Sequence, residues 1–158
     1  MSETVVRPMS ASDIDAVMAI AHGLESAPHW PRTAYEAALD PMATPQRIAL
    51  VAEISGAIIG FTIASLIPPQ AELETIAVSQ SHQRCKGGSA LLAALFRELQ
   101  SRQITEITLE VRASNEAAQA LYCAHSLVTG SRRKGYYSDT GEDAVLMRGP
   151  IPSPPKIK

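Results

Sequence analysis

Three apolar segments in succession constrain the fold of this chain more than any other feature. Arg47 to Ile54 and Ala57 to Ile67 are rich in Ile, Val and Ala, and Ser55-Gly56 between them supplies a hairpin turn. Pro68-Pro69 ends the second segment, because proline cannot continue a central strand. Glu72 to Val78 predicts a third strand. These segments therefore predict a sheet in the middle of the chain.

Helical patterns stand on both sides of this sheet in the sequence. Ser10 with Asp13 resembles a capping box, and apolar residues from Ile14 to Leu24 follow one helical face. A short helix from Thr33 to Leu39 stops at a proline. A third, strongly periodic helix begins after Gly87-Gly88-Ser89 and carries an apolar stripe of leucines.

The last third of the chain alternates between strands and a helix. Glu106 to Arg112 alternates strictly between apolar and polar residues, which is typical of a strand. Ser114-Asn115 can cap a helix that runs to about His125. Two strands follow, Leu127 to Lys134 and Asp143 to Arg148, with a turn between them at residues 139–141. The order of elements predicts an α/β fold, a mixed sheet with helices on both faces.

Composition limits the protein to a few classes. The 158 residues are 46% hydrophobic and 19% charged, which is typical of a soluble globular domain; we assign it residues 1–149. Pro150 to Lys158 contains four prolines in nine residues and predicts a disordered tail. The longest apolar stretch is far shorter than the ~20 residues of a membrane helix. Because no signal peptide is evident and Cys85 and Cys123 are too few for a disulfide scaffold, we expect a cytoplasmic protein with reduced thiols.

Charge is distributed unevenly. Met1 to Ser81 holds 3 Lys/Arg against 9 Asp/Glu, whereas His82 to Lys158 holds 11 against 7, and the net charge is -2. A general nucleic-acid binder would need a larger basic excess. The basic second half still allows a local site for an anion.

The segment from Gln83 to Ser89, between a strand and a helix, is the best candidate for that site. Glycines permit close approach of a ligand to the backbone, and the first amides of a helix attract anions. Arg84 and Lys86 add two cations. The spacing matches neither a Walker loop nor the G-x-G-x-x-G fingerprint, so a plain turn with a basic rim remains an alternative.

At this segment the chain resembles the GNAT superfamily of acyl-CoA N-acyltransferases, whose pyrophosphate loop has the pattern Q/R-x-x-G-x-G/A. More narrowly, it is similar to the ribosomal-protein-alanine N-acetyltransferases, over about Val5 to Met147. The segments that carry the resemblance are Glu72–Val78, Leu109–Asn115, Ala120–Tyr122, Arg132–Tyr137 and Glu142–Met147. The resemblance implies a GNAT fold, with a mixed and mostly antiparallel sheet.

The resemblance also implies an activity, the direct transfer of acetyl from acetyl-CoA to an amine. The favoured acceptor is the N-terminal alanine of a small-subunit ribosomal protein. Glu110 would be the general base, acting directly or through water, and Tyr122 the general acid on the coenzyme A sulfur. Tyr136 and Tyr137 would shape the acceptor cleft. Val78 would also donate its amide to the oxyanion. The implied cofactor-binding residues are Ile76, Ala77, Val78, Arg84, Cys85, Lys86, Gly87, Gly88, Ser89 and Asn115.

Two positions depart from the family pattern. Lys86 stands at the first loop glycine, where its side chain could crowd the pyrophosphate if the backbone needs a positive φ, or could pair with phosphate. Ser126 stands at the glycine of the family's Leu-Gly-Phe.

Several alternatives remain open. Glu74 competes with Glu110 as the base, and Arg132 to Lys134 is either a solvated charge run or a steering patch for an acceptor or phosphates. The acceptor could instead be another protein N-terminus, a lysine or a small amine, and the chain could be an acyl-CoA-binding regulatory module without activity. A zinc set of His82, Cys85, Cys123 and His125 is disfavoured because Cys85 lies in the proposed phosphate loop; we expect no metal. We also expect neither nucleic acid nor a membrane as a partner.

Overall fold

A seven-stranded sheet with helices packed against it organises the part of the chain that the computed structural model describes, residues 3–25, 27–83 and 86–152. The strands are β1 (Thr4–Pro8), β2 (Arg47–Ile54), β3 (Ala57–Ile67), β4 (Gln70–Val78), β5 (Glu106–Arg112), β6 (Val128–Tyr137) and β7 (Glu142–Pro150). The helices are α1 (Ile14–His22), α2 (Arg32–Leu39), α3 (Gly87–Ser101) and α4 (Glu116–Ala124).

The strand order is β1-β2-β3-β4-β5-β7-β6. Among the pairs of described strands, β4 and β5 run parallel, joined by the crossover through α3 that parallel neighbours require, and the others are antiparallel. The mixed, mostly antiparallel sheet is therefore confirmed.

Helices cover both faces of this sheet, as predicted. On one face the leucine stripe of α3 packs against alternate residues of β5; the buried members include Leu91, Leu92, Leu95, Leu99, Ile107, Leu109 and Val111. On the other face α1 and α2 cover the inner strands; the buried members include Ile14, Val17, Tyr35, Phe61 and Ile63. Each face therefore has its own hydrophobic core.

The first strand was missing from the sequence-based prediction. β1 is short, contains Arg7 and Pro8, and pairs with β2 at the edge of the sheet. A proline is tolerated there because an edge strand leaves half of its amides unpaired. Arg7 then reaches Asp13, which carries the predicted capping interaction: the Ser10 amide donates to Asp13 Oδ2 at 2.8 Å. A turn of 3-10 helix over Ala11–Asp13 leads directly into α1.

The packed part of the chain continues past residue 149, where we predicted the end of the domain. β7 continues to Pro150, opposite Glu106, and Ile151 is buried with its amide donating to the carbonyl of Thr105 at 2.9 Å. Burial of the Ile151 side chain at the edge of the core stabilises this end of the strand more than Pro150 destabilises it, because Pro150 lacks only one hydrogen-bond donor at the end of the strand. Residues 153–158 lie outside the described residues.

Helix length also bears on the membrane question. No helix within residues 3–25, 27–83 and 86–152 is both long enough and apolar enough to cross a bilayer.

Candidate active site

The candidate site lies where strands β4 and β5 separate. Their parallel pairing ends at Leu73 and Leu109, although both strands continue beyond it. The opening leads into a cavity of about 340 Å³ that is lined by the diverging strands, the start of α3 and one side of α4. A gap between neighbouring strands leaves backbone donors and acceptors available to a ligand.

The edge of β4 that faces this gap presents backbone amides. Leu73 and Thr75 lie opposite the consecutive residues Ala64 and Ile63, so the extra residue, Glu74, forms a bulge. Beyond the bulge the Ser79 amide donates to the carbonyl of Ile59 on β3. Because amides alternate along an antiparallel ladder, those of Val78 and Ile76 point away from β3, toward the gap. The Val78 carbonyl accepts a bond from the Gln83 side chain at 3.1 Å.

The glycine segment meets the same cavity. Lys86, Gly88 and Ser89 line it, together with the predicted strand residues Ile76, Ala77 and Val78. Gly87 instead packs into the core, where a Cβ would come within 2.9 Å of Ile59. Its contribution is therefore close packing of α3 on the sheet. Arg84 and Cys85 lie outside the described residues.

Both positions that depart from the family's glycines have left-handed backbones. Lys86 precedes α3 with φ 59°, and Ser126 follows α4 with φ 72°. Glycine reaches this region without steric cost, whereas an L-residue pays roughly 1–2 kcal/mol. The chain thus keeps the glycine-type backbone at both places. The Lys86 side chain is exposed and lies at the cavity, where its ammonium adds positive charge.

Tyr122 lies on the cavity-facing side of α4. Its side chain is buried in the core beneath the gap, and it lines the cavity. Burial raises the pKa of Tyr122, since the phenolate would be poorly solvated, and the nearby Tyr137 raises it further. Tyr122 is therefore protonated across the physiological pH range and can donate a proton or hydrogen bond into the cavity.

Glu110 lies on β5 just beyond Leu109, the last residue paired with β4, and also lines the cavity. Its Oε2 is buried and has no hydrogen-bond partner among the described residues, whereas Oε1 lies 3.4 Å from Nε of Arg133. A buried carboxylate oxygen without a donor is a strong acceptor for an incoming proton-bearing group. The structure thus brings Glu110 and Tyr122 to one cavity from different elements.

The competing carboxylate, Glu74, has a different environment. It lines the same cavity, but its Oε1 lies 2.6 Å from Nε of Arg47 on β2, and both side chains are largely buried. The short ion pair with Arg47 holds the Glu74 carboxylate more strongly than the longer, more exposed pair with Arg133 holds Glu110. The Glu74 carboxylate is therefore less available to accept a proton. This geometry favours Glu110 over Glu74 as the base.

Asn115 lines the cavity too, but its side chain has a structural role. Asn115 Oδ1 accepts from the amide of Ala118 at 3.1 Å and caps α4, as the sequence predicted. The cap sets the direction of α4 and, with it, the position of Tyr122 about two turns later.

Sequence reasoning missed a cluster around Arg112, the last residue of β5 and two positions after Glu110. The guanidinium of Arg112 lies 4.1 Å from the ring centre of Tyr137, 3.0 Å from Asp139 Oδ2 and 3.6 Å from Glu142 Oε1. Arg112 and Tyr137 both line the cavity, so the cluster holds the turn between β6 and β7 beside it. A polar position in an alternating strand gives no signal of such distant partners. Leu24, after α1, lines the cavity from the opposite face.

The two histidines of the disfavoured zinc set, His82 and His125, have other partners. Nδ1 of His82 lies 2.8 Å from Oγ of Ser79, and the His125 ring packs edge-on against Phe96. Within the described part of the chain, which leaves out Cys85, no group of three or more His, Cys, Asp or Glu side chains is placed to hold a metal ion.

Comparison with known proteins bears on the family of this chain. A model described as the acetyltransferase (GNAT) family matches residues 16–125. A Bacillus subtilis protein, provisionally named ribosomal protein bS18-alanine N-acetyltransferase, is 30% identical over 146 residues, 92% of this chain and 95% of that protein. The ribosomal protein bS18-alanine N-acetyltransferase of Escherichia coli K12 is 40% identical over 99 residues, 61% of this chain and 67% of that protein. The crystal structure of the Escherichia coli ribosomal-protein-S18-alanine N-acetyltransferase has a TM-score of 0.84 at 28% identity and covers 99% of both chains. The chain therefore belongs to the GNAT family of acetyltransferases.

Proposed function

We propose that this enzyme transfers the acetyl group of acetyl-CoA to the N-terminal α-amino group of a protein, with the N-terminal alanine of a small-subunit ribosomal protein as the favoured acceptor. The observation that carries the proposal is the meeting of Glu110 and Tyr122 at one cavity beside the free edge of β4. Enzymes of this family use acetyl-CoA, and the relatives described above are named for a ribosomal protein alanine.

The residues at the gap fit the acyl donor. The extended arm of coenzyme A carries amides, which can pair with the outward amides of Ile76 and Val78 as an added strand would. Lys86 and the first amides of α3 supply positive charge for the phosphates. Bound in this way, acetyl-CoA supplies an activated thioester between the two strands.

Glu110 makes the acceptor nucleophilic. An α-amino group has a pKa of ~7.7–8.0, so a carboxylate has to remove one proton from a group that is already partly neutral at physiological pH. Glu110 takes that proton directly or through one water molecule. The amine nitrogen then bonds to the thioester carbonyl carbon, and the Val78 amide stabilises the oxygen that gains the charge.

Tyr122 completes the transfer. When the carbon–sulfur bond breaks, its electron pair remains on sulfur, and the Tyr122 hydroxyl donates a proton to that sulfur. The high pKa of Tyr122 keeps the proton in place until then. A thiolate in the same poorly solvated place is more basic than in water, which favours the transfer. The amide nitrogen loses its remaining excess proton as the carbon–sulfur bond breaks, and this proton restores the Tyr122 hydroxyl. The products are an N-acetylated acceptor, coenzyme A and the proton on Glu110, which passes to solvent.

Peptide acetylation, followed by mass spectrometry, tests the proposal. The wild-type enzyme with acetyl-CoA should acetylate a ribosomal-protein peptide at its N-terminal alanine, and Glu110→Gln should lower kcat by about 10²-fold or more. Glu106→Gln is the matched control because Glu106 lies on the same strand outside the cavity.

Three results would contradict parts of the proposal. Binding of acetyl-CoA without turnover on any amine would identify a binding module. Exclusive acetylation of lysine side chains or small amines would reject the acceptor. A Glu110→Gln enzyme with an unchanged pH–rate profile would reject the base, and Glu74→Gln would then be the variant to lose activity.

A further inference from the structure

We propose that Arg133 occupies the subsite for the acceptor's ammonium group in the resting enzyme and that a protonated acceptor must displace it. The inference rests on the proposed function, and it specifies the acceptor class: a primary amine that arrives as its cation. Arg133 is the only described cation paired with Glu110, with its Nε 3.4 Å from Oε1.

Strand register places Arg133 and Glu110 on the same open side of the sheet. Arg112 lies opposite Ala144 on β7, and Ala144 in turn lies opposite Arg133 on β6. Directly opposed residues share a face, and Glu110 shares the face of Arg112 two positions later. Arg133 therefore meets Glu110 from across β7, on the face that α3 does not cover.

The contacts of Arg133 are those of a side chain that can leave. Its side chain is 57% exposed, and its guanidinium lies 5.5 Å from the ring centre of the exposed Tyr136. Exposed ion pairs of this length are weak, because the entropy lost in ordering a long side chain offsets much of the electrostatic attraction. Displacement leaves the guanidinium the same aromatic ring to rest on.

Charge balance explains why a cation is needed in its place. Two carboxylates line the cavity, Glu74 and Glu110, and each has one described arginine partner, Arg47 and Arg133 respectively. When Arg133 leaves, the group carries one uncompensated negative charge beside the buried Oε2 of Glu110. An ammonium restores neutrality and is then in place to lose its proton to Glu110, whereas an uncharged amine would compete poorly with the guanidinium.

Acceptor kinetics with Arg133→Met test the inference. Methionine keeps an unbranched stem but removes the charge, so the acceptor KM of an alanine-terminated peptide should fall about two- to fivefold with kcat nearly unchanged. Arg133→Lys, which keeps a cation, should give an intermediate KM. Isothermal titration of the same peptide in the presence of coenzyme A should show a matching decrease in Kd.

Arg148→Met is the matched control. Arg148 lies opposite Thr108, on the same face as Glu110, and is exposed, so its loss changes the net charge equally without touching the carboxylate. Its acceptor KM should stay within experimental error of the wild-type value. An acceptor KM that is unchanged or raised in Arg133→Met, or a kcat that falls, would overturn the inference while leaving the proposed function intact. A wild-type enzyme that acetylates no peptide N-terminus would overturn both.

Discussion

Asp13→Asn should destabilise the protein in a way that depends on pH. Asp13 is buried and accepts two hydrogen bonds from the guanidinium of Arg7, at 2.8 and 2.9 Å, besides the bond from the Ser10 amide. Chiefly because of the hydrogen bonds from Arg7, the pKa of Asp13 is lowered from 3.8 to about 2. A difference of this size corresponds to about 2.5 kcal/mol of stability from the charged form. Since Arg7 is one-third exposed, this is an upper value.

The sign of the pH effect follows from the direction of the change. A carboxyl whose pKa is lower in the folded state stabilises the protein fully above its ordinary pKa, and this stabilisation is lost as the pH falls toward the folded value. Between about pH 4 and pH 2, wild-type protein should therefore lose up to about 2.5 kcal/mol from Asp13 alone.

Urea unfolding at pH 7, 4, 3 and 2.5 measures the effect. At pH 7 the free energy of unfolding of Asp13→Asn should lie about 2 kcal/mol below that of the wild type, and the difference should shrink as the pH falls. Asparagine still accepts the Ser10 bond, so the comparison isolates the charge. Asp40→Asn is the control, because Asp40 is exposed and takes part in none of the described ion pairs. Its free energy of unfolding should stay within about 0.5 kcal/mol of the wild-type value at every pH. A difference that is the same at every pH would refute the electrostatic explanation.

Three further changes have defined outcomes. Ser126→Gly should raise the free energy of unfolding by up to about 1 kcal/mol in urea, because glycine relieves the left-handed backbone after α4 at φ 72°; a loss of stability would contradict this. Lys86→Gly should be neutral or slightly stabilising for the same reason, but should weaken acetyl-CoA binding in isothermal titration because the ammonium is lost; unchanged affinity would show that Lys86 makes no phosphate contact. Tyr122→Phe should lower kcat at least tenfold while thermal stability stays near wild type, since the buried ring remains. Because the pKa of Tyr122 is raised, the wild-type rate should show no loss from its ionisation up to about pH 10, and a fall near pH 9 in the wild type but not in Tyr122→Phe would contradict the raised pKa.

Much of the fold follows from local patterns in the sequence. The two apolar runs around Ser55-Gly56 form the predicted hairpin, and the leucine stripe of α3 forms the core of one face. Such patterns can be recognised in the sequence because a buried face requires apolar residues at every second position of a strand, or at every third to fourth position of a helix. β1 carries no such pattern, because an edge strand of five residues with one proline buries too little to need it.

Some residues of the candidate site can be predicted from local motifs, whereas others are brought together only by the fold. Glu110, Tyr122 and the residues 76–78 follow from a resemblance carried by short motifs, and the structure brings them to one cavity. By contrast, Arg112 with Tyr137 and Arg133 with Glu110 are pairs from different strands. No spacing along the sequence predicts these pairs, because the distance between the two side chains of each pair is set by strand order and by the shifts in register between β6 and β7.

The sequence by itself determined the alternation of strands and helices and the glycine segment at the start of α3, and its local motifs predicted Glu110 and Tyr122 as the acid–base residues, since each depends on neighbours along the chain. Only the tertiary structure decided that β4 and β5 separate beyond Leu73 and Leu109, that Glu74 is held by Arg47, and that Arg133 lies on Glu110. These features depend on which strands become neighbours and where their hydrogen bonding stops. That outcome is set by packing of the whole sheet between its two cores.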